Sequence, residues 1–242
     1  MPLDLDVEKI YQLVDGDPDK YCKELGEAHC LLWSSRKRLG TLKWNPLNRL
    51  MAFINGIEFV FTPDSITNGF CNSKRTVSKN ETEQDVVSKY SEKTQELIKR
   101  YKETDYTIGS SLIFPISIDG ESIRWTMNIA RGISWKVHDR IDYTLECIKR
   151  YYDKNDDNPL QKALLKSAAF FDLFESFQDY VDFFFLNDLV NDKGEVISFT
   201  DTIDFTSPFP KSEEEYYKYL NNTMEFVKKR DARIKEWCKT AK

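Results

Sequence analysis

The sequence predicts an α+β fold, in which antiparallel strands and hairpins of the N-terminal half pack against a mostly helical C-terminal half. Two observations predict it: strand-like segments with tight-turn dipeptides lie before residue 130, and apolar residues at helical spacing dominate the rest. The 242 residues include 16 Phe, 12 Tyr and 5 Trp, enough large side chains for a sizeable core. We expect one domain over residues 1–242, and a division near Thr104 is the alternative.

The N-terminal part combines a helix with a hairpin. Asp17-Pro18 is a helix-start signal, because an acid caps the first turn and proline suits the first helical position. The apolar spacing that follows predicts a helix over residues 18–34. Asn55-Gly56 lies between the apolar runs Leu50–Ile54 and Ile57–Phe61, which predicts a hairpin with a type I′ turn.

The middle of the chain predicts a loop, a helix and a second hairpin. Residues 72–85 are polar and indicate a surface loop, and Gln84–Lys102 has the spacing of a thin, exposed helix. Ser111–Ile118 and Ser122–Ile129 are strand-like and meet at Asp119-Gly120, another hairpin dipeptide.

The C-terminal half is predicted to be helical. Apolar residues from Val137 to Tyr152 recur every three or four positions, and the aromatic-rich run from Pro159 to Leu189 predicts a central buried helix. Val196–Phe199 has the pattern of a short strand. Ser212 and Glu215 form a capping-box pattern that begins a last helix over residues 212–238.

Composition and charge exclude several classes of protein. With 35 basic and 40 acidic residues the formal charge is −5, so broad neutralisation of nucleic-acid phosphates is not expected. The five cysteines form no CxxC pair, which favours free thiols in a reducing compartment. The N-terminus lacks the pattern of a signal peptide, and no apolar run approaches the roughly 20 residues of a membrane-spanning helix. We therefore expect a cytoplasmic protein without a membrane partner.

Standard catalytic motifs are missing from the sequence. It contains no phosphate-binding GxxxxGK[ST], no dinucleotide-binding GxGxxG, no GxSxG and no HExxH. The chain has only two histidines, His29 and His138, which excludes a metal centre built on several histidines. No cofactor is identified, and whether the protein is an enzyme stays open.

One segment, Thr126–Tyr152, concentrates polar side chains where a predicted strand passes into a helix. Gly132 there allows a sharp turn or a close approach to a ligand. Guanidinium groups can bind phosphate or carboxylate, an amide can orient an oxygen, and a carboxylate can act as a general base. The predicted catalytic residues are Asp142 and Glu146, and the predicted ligand-binding residues are Asn128, Arg131, Asp139, Arg140 and Arg150.

A purely structural interpretation of this segment has comparable weight. Asp142, Glu146 and Arg150 are four residues apart and could form ordinary ion pairs along one helix, each worth a few tenths of a kcal/mol. Asp139 would then complement the helix N-terminus, and Arg131 would pair with an acid across the core.

A second group of acids falls on the predicted central helix. Spacings of three, four and three residues would place four carboxylates on one stripe, where they could bind a divalent cation or simply form the solvated face. These residues are Asp172, Glu175, Asp179 and Asp182.

The sequence also resembles a bacterial family of domains of unknown function, most specifically over residues 106–190. The shared segments include Ala130-Arg131-Gly132, Asp139-Arg140, Thr144-Leu145-Glu146-Cys147-Ile148, Arg150-Tyr151-Tyr152, Phe170-Phe171 and Asp188-Leu189-Val190. The resemblance implies a bacterial protein and carries no activity with it.

Two functions from different classes remain after these exclusions. The first is binding of, or action on, an anionic ligand, a nucleotide or RNA, by the polar cluster of Thr126–Tyr152. The second is a non-enzymatic role in which the protein binds a protein partner within a bacterial regulatory or phage-defence module. The density of polar side chains at one predicted strand–helix junction favours the first function, which we expect. The abundance of aromatic residues, the missing catalytic motifs and the polar segment 72–85 support the second as the alternative.

Overall fold

The α+β prediction is confirmed by the structure, a computed structural model that describes residues 3–12, 16–45, 49–66, 83–116 and 127–241. In these ranges one antiparallel sheet lies in the N-terminal half, and the C-terminal half is helical. The four strands follow one another in the sheet in chain order: β1 (Lys43–Asn45), β2 (Arg49–Ile54), β3 (Ile57–Ser65) and β4 (Ser111–Pro115).

The helices of the described ranges are mostly short, with one long exception at the C-terminal end. They are α1 (Pro18–Tyr21), α2 (Lys23–Ser35), α3 (Glu83–Val87), α4 (Glu92–Tyr101), α5 (Met127–Ile133), α6 (Ile141–Tyr152), α7 (Gln161–Lys166), α8 (Ala168–Phe171), α9 (Phe177–Phe183) and α10 (Glu213–Thr240), with a 3₁₀ turn at Asn187–Leu189.

The predicted Asn55-Gly56 hairpin is confirmed. Both turn residues have positive φ, 52° and 81°, as a type I′ turn requires. The turn sets the register of β2 and β3, in which Ile54 lies opposite Ile57 and the pairing continues along both strands.

Two predicted helices are each divided in two. Asp17 caps α1 as predicted, and its side chain accepts a hydrogen bond from the amide of Asp19. The helix predicted over residues 18–34 is interrupted at Cys22, whose backbone is extended. The helix predicted over Gln84–Lys102 is interrupted between α3 and α4, where Ser91 precedes the first turn of α4.

The second predicted hairpin is wrong where the structure describes it. β4 pairs with β3, with Ser111 opposite Ser65. Residues 117–126 lie outside the described ranges, but Met127–Ile133 form helix α5 instead of ending a strand. The buried residues of α5 are Met127, Ala130 and Arg131. Their spacing is that of a helix, whereas a strand would bury every second residue.

The predicted central helix is also wrong, because α7, α8, α9 and the 3₁₀ turn replace it. Ser176 begins a new helix by accepting a hydrogen bond from the amide of Asp179. The breaks allow rings from successive helices to pack together, as Phe170, Phe174 and Phe184 do at centroid distances of 5.5–6.3 Å. Aromatic packing therefore replaces one continuous helix.

Of the two elements predicted near the C-terminal end of the described ranges, the strand is absent and the capped helix is present. Val196–Phe199 is not a strand, and only a single antiparallel bridge joins Val190 to Val196. The capping serine is confirmed, because Ser212 accepts from the amide of Glu215 at the start of α10. No helix in the described ranges combines the length and apolar character needed to cross a membrane.

The core of the described ranges runs from the sheet to α10. Trp33 of α2 is fully buried, stacks on Phe183 and packs against the tilted ring of Phe184, while Phe61 of β3 meets Phe170 edge to face. These contacts join residues from both halves of the sequence.

Two helical glycines give a matched test of this packing. A Cβ on Gly26 of α2 would lie 2.2 Å from the Trp44 ring, whereas a Cβ on Gly132 of α5 would meet nothing within 4 Å. Gly26→Ala should lower the free energy of unfolding by about 1–3 kcal/mol through overpacking. Gly132→Ala should raise it by about 0.5–1 kcal/mol through helix propensity. Urea unfolding measures both, and effects of the same sign would contradict the predicted contact.

Candidate functional site

The seven predicted site residues lie around the junction of α5 and α6. This junction joins two helices, so the predicted passage from a strand to a helix is wrong. The side chains separate into three groups, centred on Arg131, on Arg140 with Asp142, and on Glu146 with Arg150.

Arg131 is buried and lies over the ring of Phe114, with its guanidinium carbon 4.4 Å from the ring centroid. All its nitrogens have protein partners: Nε donates to Thr144 Oγ1 at 2.8 Å, Nη1 donates to the carboxylate of Asp64, and Nη2 donates to the carbonyl of Asp139 at 3.0 Å. Burial alone would lower the pKa of Arg131, but the charges of Asp139 and Asp64 outweigh it and raise the pKa. Arg131 therefore stays charged and paired.

Asn128 and Asp139 flank this group. The Asn128 amide donates to Thr62 Oγ1 at 3.0 Å and to the carbonyl of Pro63 at 3.2 Å, which ties α5 to β3. Asp139 is exposed, has positive φ, and places a carboxylate oxygen 3.3 Å from Arg131. Both residues thus support the junction of the two helices.

Arg140 and Asp142 form a sealed ion pair. The side chains are 2% and 0% exposed, and the guanidinium binds both carboxylate oxygens in a two-pronged contact. Arg140 also donates to the carbonyl of Pro208 at 2.7 Å, and Asp142 accepts from the amide of Phe199 at 2.9 Å. These hydrogen bonds connect the start of α6 to the segment that precedes α10.

Glu146 and Arg150 form the i,i+4 pair that the structural interpretation predicted. Arg150 Nε donates to Glu146 at 2.8 Å, and both side chains are about one-fifth exposed. Arg150 also donates to the carbonyl of Asp157 and lies over the ring of Phe205. Asp142 does not join this stripe, because its carboxylate is bound to Arg140.

The seven residues do not converge on one ligand position. The guanidinium groups of Arg131 and Arg140 are buried and bound to protein acceptors, which leaves phosphate no open approach to them. The carboxylate of Asp142 is fully buried and accepts from Arg140, Ser198 and Phe199, so a substrate has no open approach to it. The geometry fits a structural network better than a ligand site.

The predicted acidic stripe is also divided. Asp172 and Glu175 lie between α8 and α9, so they do not share a helix face with Asp179 and Asp182. Asp179 pairs with Arg38, and Asp182 accepts from Gln178 and Asn187. Within the described ranges, no three His, Cys, Asp or Glu side chains come together in a way that could hold a metal ion.

A buried polar network that the sequence did not reveal lies on the opposite side of the sheet. The Trp33 indole donates to His29 Nδ1 at 2.9 Å, so His29 carries its proton on Nε2. That nitrogen lies 3.0 Å from Ser111 Oγ, which donates to Asp19 at 3.2 Å. The His29–Trp33 contact follows the i,i+4 spacing of a helix, but no spacing signal predicts Ser111 as a partner, because it lies 82 residues from His29.

The network contains Ser, His and Asp but is not a catalytic triad. His29 donates to Ser111 and cannot accept its proton, and the aspartate contacts the serine instead of the histidine. Burial lowers the pKa of His29 to about 3, and the nearby Arg230 charge adds to this effect. His29 and Ser111 are fully buried, so the network has a structural role.

One surface groove lies between α5 and α7, and we call it the α5–α7 groove. It has a volume of about 250 Å³. Its lining is mainly apolar, with one hydroxyl and two lysines: Ala130, Ile133, Ser134, Pro159, Leu160, Lys162, Ala163 and Lys166.

Removing one partner of the sealed pair tests its structural role. Arg140→Leu and Asp142→Leu should each lower the free energy of unfolding by about 3–5 kcal/mol, because each leaves a buried charge without its partner. The double variant should lose much less than the sum. Arg150→Leu changes a partly exposed arginine of α6 and serves as the control. It should lower the free energy of unfolding by less than about 1 kcal/mol. Urea unfolding measures all four variants. Equal costs for Arg140→Leu and Arg150→Leu would contradict a sealed pair.

Comparison with known proteins assigns a family and no activity. No curated protein matches the chain, and no solved structure matches it. A family model described as a family of unknown function, DUF6994, matches residues 3–234, nearly the whole chain. This match confirms the resemblance to a domain family without an attached activity. The chain therefore belongs to DUF6994, a family of unknown function.

Proposed function

We propose that this protein is a non-enzymatic interaction component that binds an acidic, apolar segment of a partner protein in the α5–α7 groove. The observation that carries the proposal is the exposed apolar surface beside a groove whose charged residues are both lysines. A role in binding another protein also fits the ion pairs of Arg131 and Arg140, because these buried guanidinium groups are bound to acceptors within the protein.

Four of the ten large hydrophobic side chains that are exposed in the described ranges lie on α5, on α7 or just after α5, and Ile133 among them lines the groove. Among the large hydrophobic side chains that are exposed in the described ranges, Trp135 is 60% exposed, Leu165 57%, Ile133 49% and Ile129 42%. Exposed apolar side chains that lie singly are ordinary, whereas several near one groove are typical of a contact surface. An exposed tryptophan in particular supplies much contact area at low cost in conformational entropy.

Charge complementarity indicates the chemistry of the partner. Lys162 and Lys166 line the groove, Lys136 lies 5.4 Å from the Trp135 ring centroid, and none of the lining residues in the described ranges is a carboxylate. A partner segment with a large apolar side chain for the groove and carboxylates for the lysines would complement this surface.

The anionic-ligand alternative receives less support from the same geometry. A nucleotide or RNA bound by Arg131 and Arg140 would have to displace their buried protein partners, whose loss leaves unpaired charges in the core. The alternative stays a hypothesis, and the experiment below distinguishes it from the proposal.

Selection from a random peptide library tests the proposed partner chemistry. The wild-type protein should enrich peptides that combine Asp or Glu with Trp, Phe, Leu or Ile. Synthetic peptides of the enriched sequence should bind Ile133→Asp and Lys162→Glu at least tenfold more weakly, because these changes place charge in the groove or reverse its charge. Isothermal titration calorimetry measures both affinities.

Ile197→Asp supplies the matched control, because Ile197 is similarly exposed, at 44%, but is not among the residues that line the groove. It should bind the peptides as the wild type does. Failure to enrich acidic peptides, or equal weakening by Ile197→Asp, would contradict the proposal. Binding of a nucleotide or RNA oligomer that is kept in Lys162→Glu and lost in a folded Arg131→Ala variant would favour the anionic ligand instead.

A further inference from the structure

We infer that residues 107–111 and α10 form a proton-linked contact, which is tightest when the carboxyl group of Asp231 is protonated. These residues lead into β4, and the neighbouring α10 residues Arg230 and Asp231 hold them. The inference concerns a conformational property of the fold and is independent of the proposed function.

Arg230 supplies the part of the contact that does not depend on pH near neutrality. It is fully buried, and its Nη1 donates to the carbonyls of Ile108, Gly109 and Ser111 at 3.2, 2.6 and 2.9 Å. Its Nε donates to the carbonyl of Phe184 at 3.1 Å. Burial lowers the pKa of Arg230 only to about 10, so the guanidinium remains charged below that pH.

Asp231 supplies the titratable part of the contact. Its carboxyl group lies against the segment 107–111, at Gly109. Its Oδ1 is buried without a hydrogen-bond partner in the described structure and approaches so closely that a Cβ on Gly109 would lie 2.1 Å away. A negative oxygen in such a place is costly, whereas a protonated carboxyl group is tolerated.

The charges that face Asp231 act in opposite directions. Burial raises its pKa to about 7 against the adjacent Arg230 charge and the nearby Gly109 amide and Thr107 hydroxyl, which lower it, and Glu8 of the N-terminal segment raises it. Glu8 is itself paired with Lys235 of α10 at 2.6 Å. On the other side of the contact, Asp19 accepts from Ser111, and burial raises the pKa of Asp19 to about 6.

The direction of the pH effect follows from these values. The pKa of Asp231 in the closed contact, about 7, lies above its ordinary value of 3.8, so the closed state binds the proton more tightly than an opened one. The contact is therefore most stable at acidic pH. It weakens as the pH rises towards 7, and the effect levels off above that value.

Amide hydrogen exchange of the full chain, followed residue by residue by NMR, tests the inference. Protection of the residue 107–111 amides, corrected for the intrinsic exchange rate, should fall from pH 6 to 7 about fivefold more in the wild type than in Asp231→Asn. Glu225→Gln is the matched control, because it removes an exposed α10 carboxylate that pairs with Lys229. It should behave as the wild type does. An equal fall in wild type and Asp231→Asn would overturn the inference.

A second measurement does not depend on the variant. The ¹³C resonance of the Asp231 carboxyl carbon in the wild-type protein should titrate with a midpoint near pH 7. A midpoint below pH 5 would overturn the inference, whether or not Asp231→Asn folds.

Discussion

Buried guanidinium groups connect the helices of this fold to its sheet by hydrogen bonds. Among these groups, Arg230 is the one on which the structure depends most. This single side chain of α10 binds the carbonyls of Ile108, Gly109 and Ser111 before and within β4 and that of Phe184 after α9. Those carbonyls are buried, and each would lose its partner if the guanidinium were removed. The long C-terminal helix therefore binds a segment that lies 119 to 122 residues earlier in the chain.

Arg131 and Arg140 repeat the same principle at the α5–α6 junction. Two adjacent residues there, His138 and Asp139, have positive φ, a conformation that costs non-glycine residues about 1–3 kcal/mol when the surroundings impose it. Arg131 binds the Asp139 carbonyl and thereby helps to hold this turn. Buried ion pairs of this kind contribute more to precise geometry than to net stability. In a sequence they resemble a ligand site, because structural ion pairs and ligand sites require the same residue types.

Local signals in the sequence predicted the elements that local chemistry decides. The Asn55-Gly56 turn and the Ser212 cap act within a few residues, and both are present in the structure. Helix α5 could not be predicted, because its pattern of apolar residues also suits a strand and burial against β4 decided the outcome. The site prediction was limited in the same way. The Glu146–Arg150 pair follows from spacing, but Asp64 lies 67 residues from Arg131, and nothing in the sequence joins the two.

Arg131 and Arg140 belong to closed structural networks. Side-chain ¹H–¹⁵N spectra of protein with ¹⁵N-labelled arginine test this arrangement most directly, because the Nε–H groups report burial and ligand contact at once. We expect slow exchange with water for the Nε–H groups of Arg131, Arg140 and Arg230, and no shift on addition of pyrophosphate, ATP or RNA. Fast exchange at Arg131 and Arg140, or a shift of their signals that saturates with an added anion, would contradict the account.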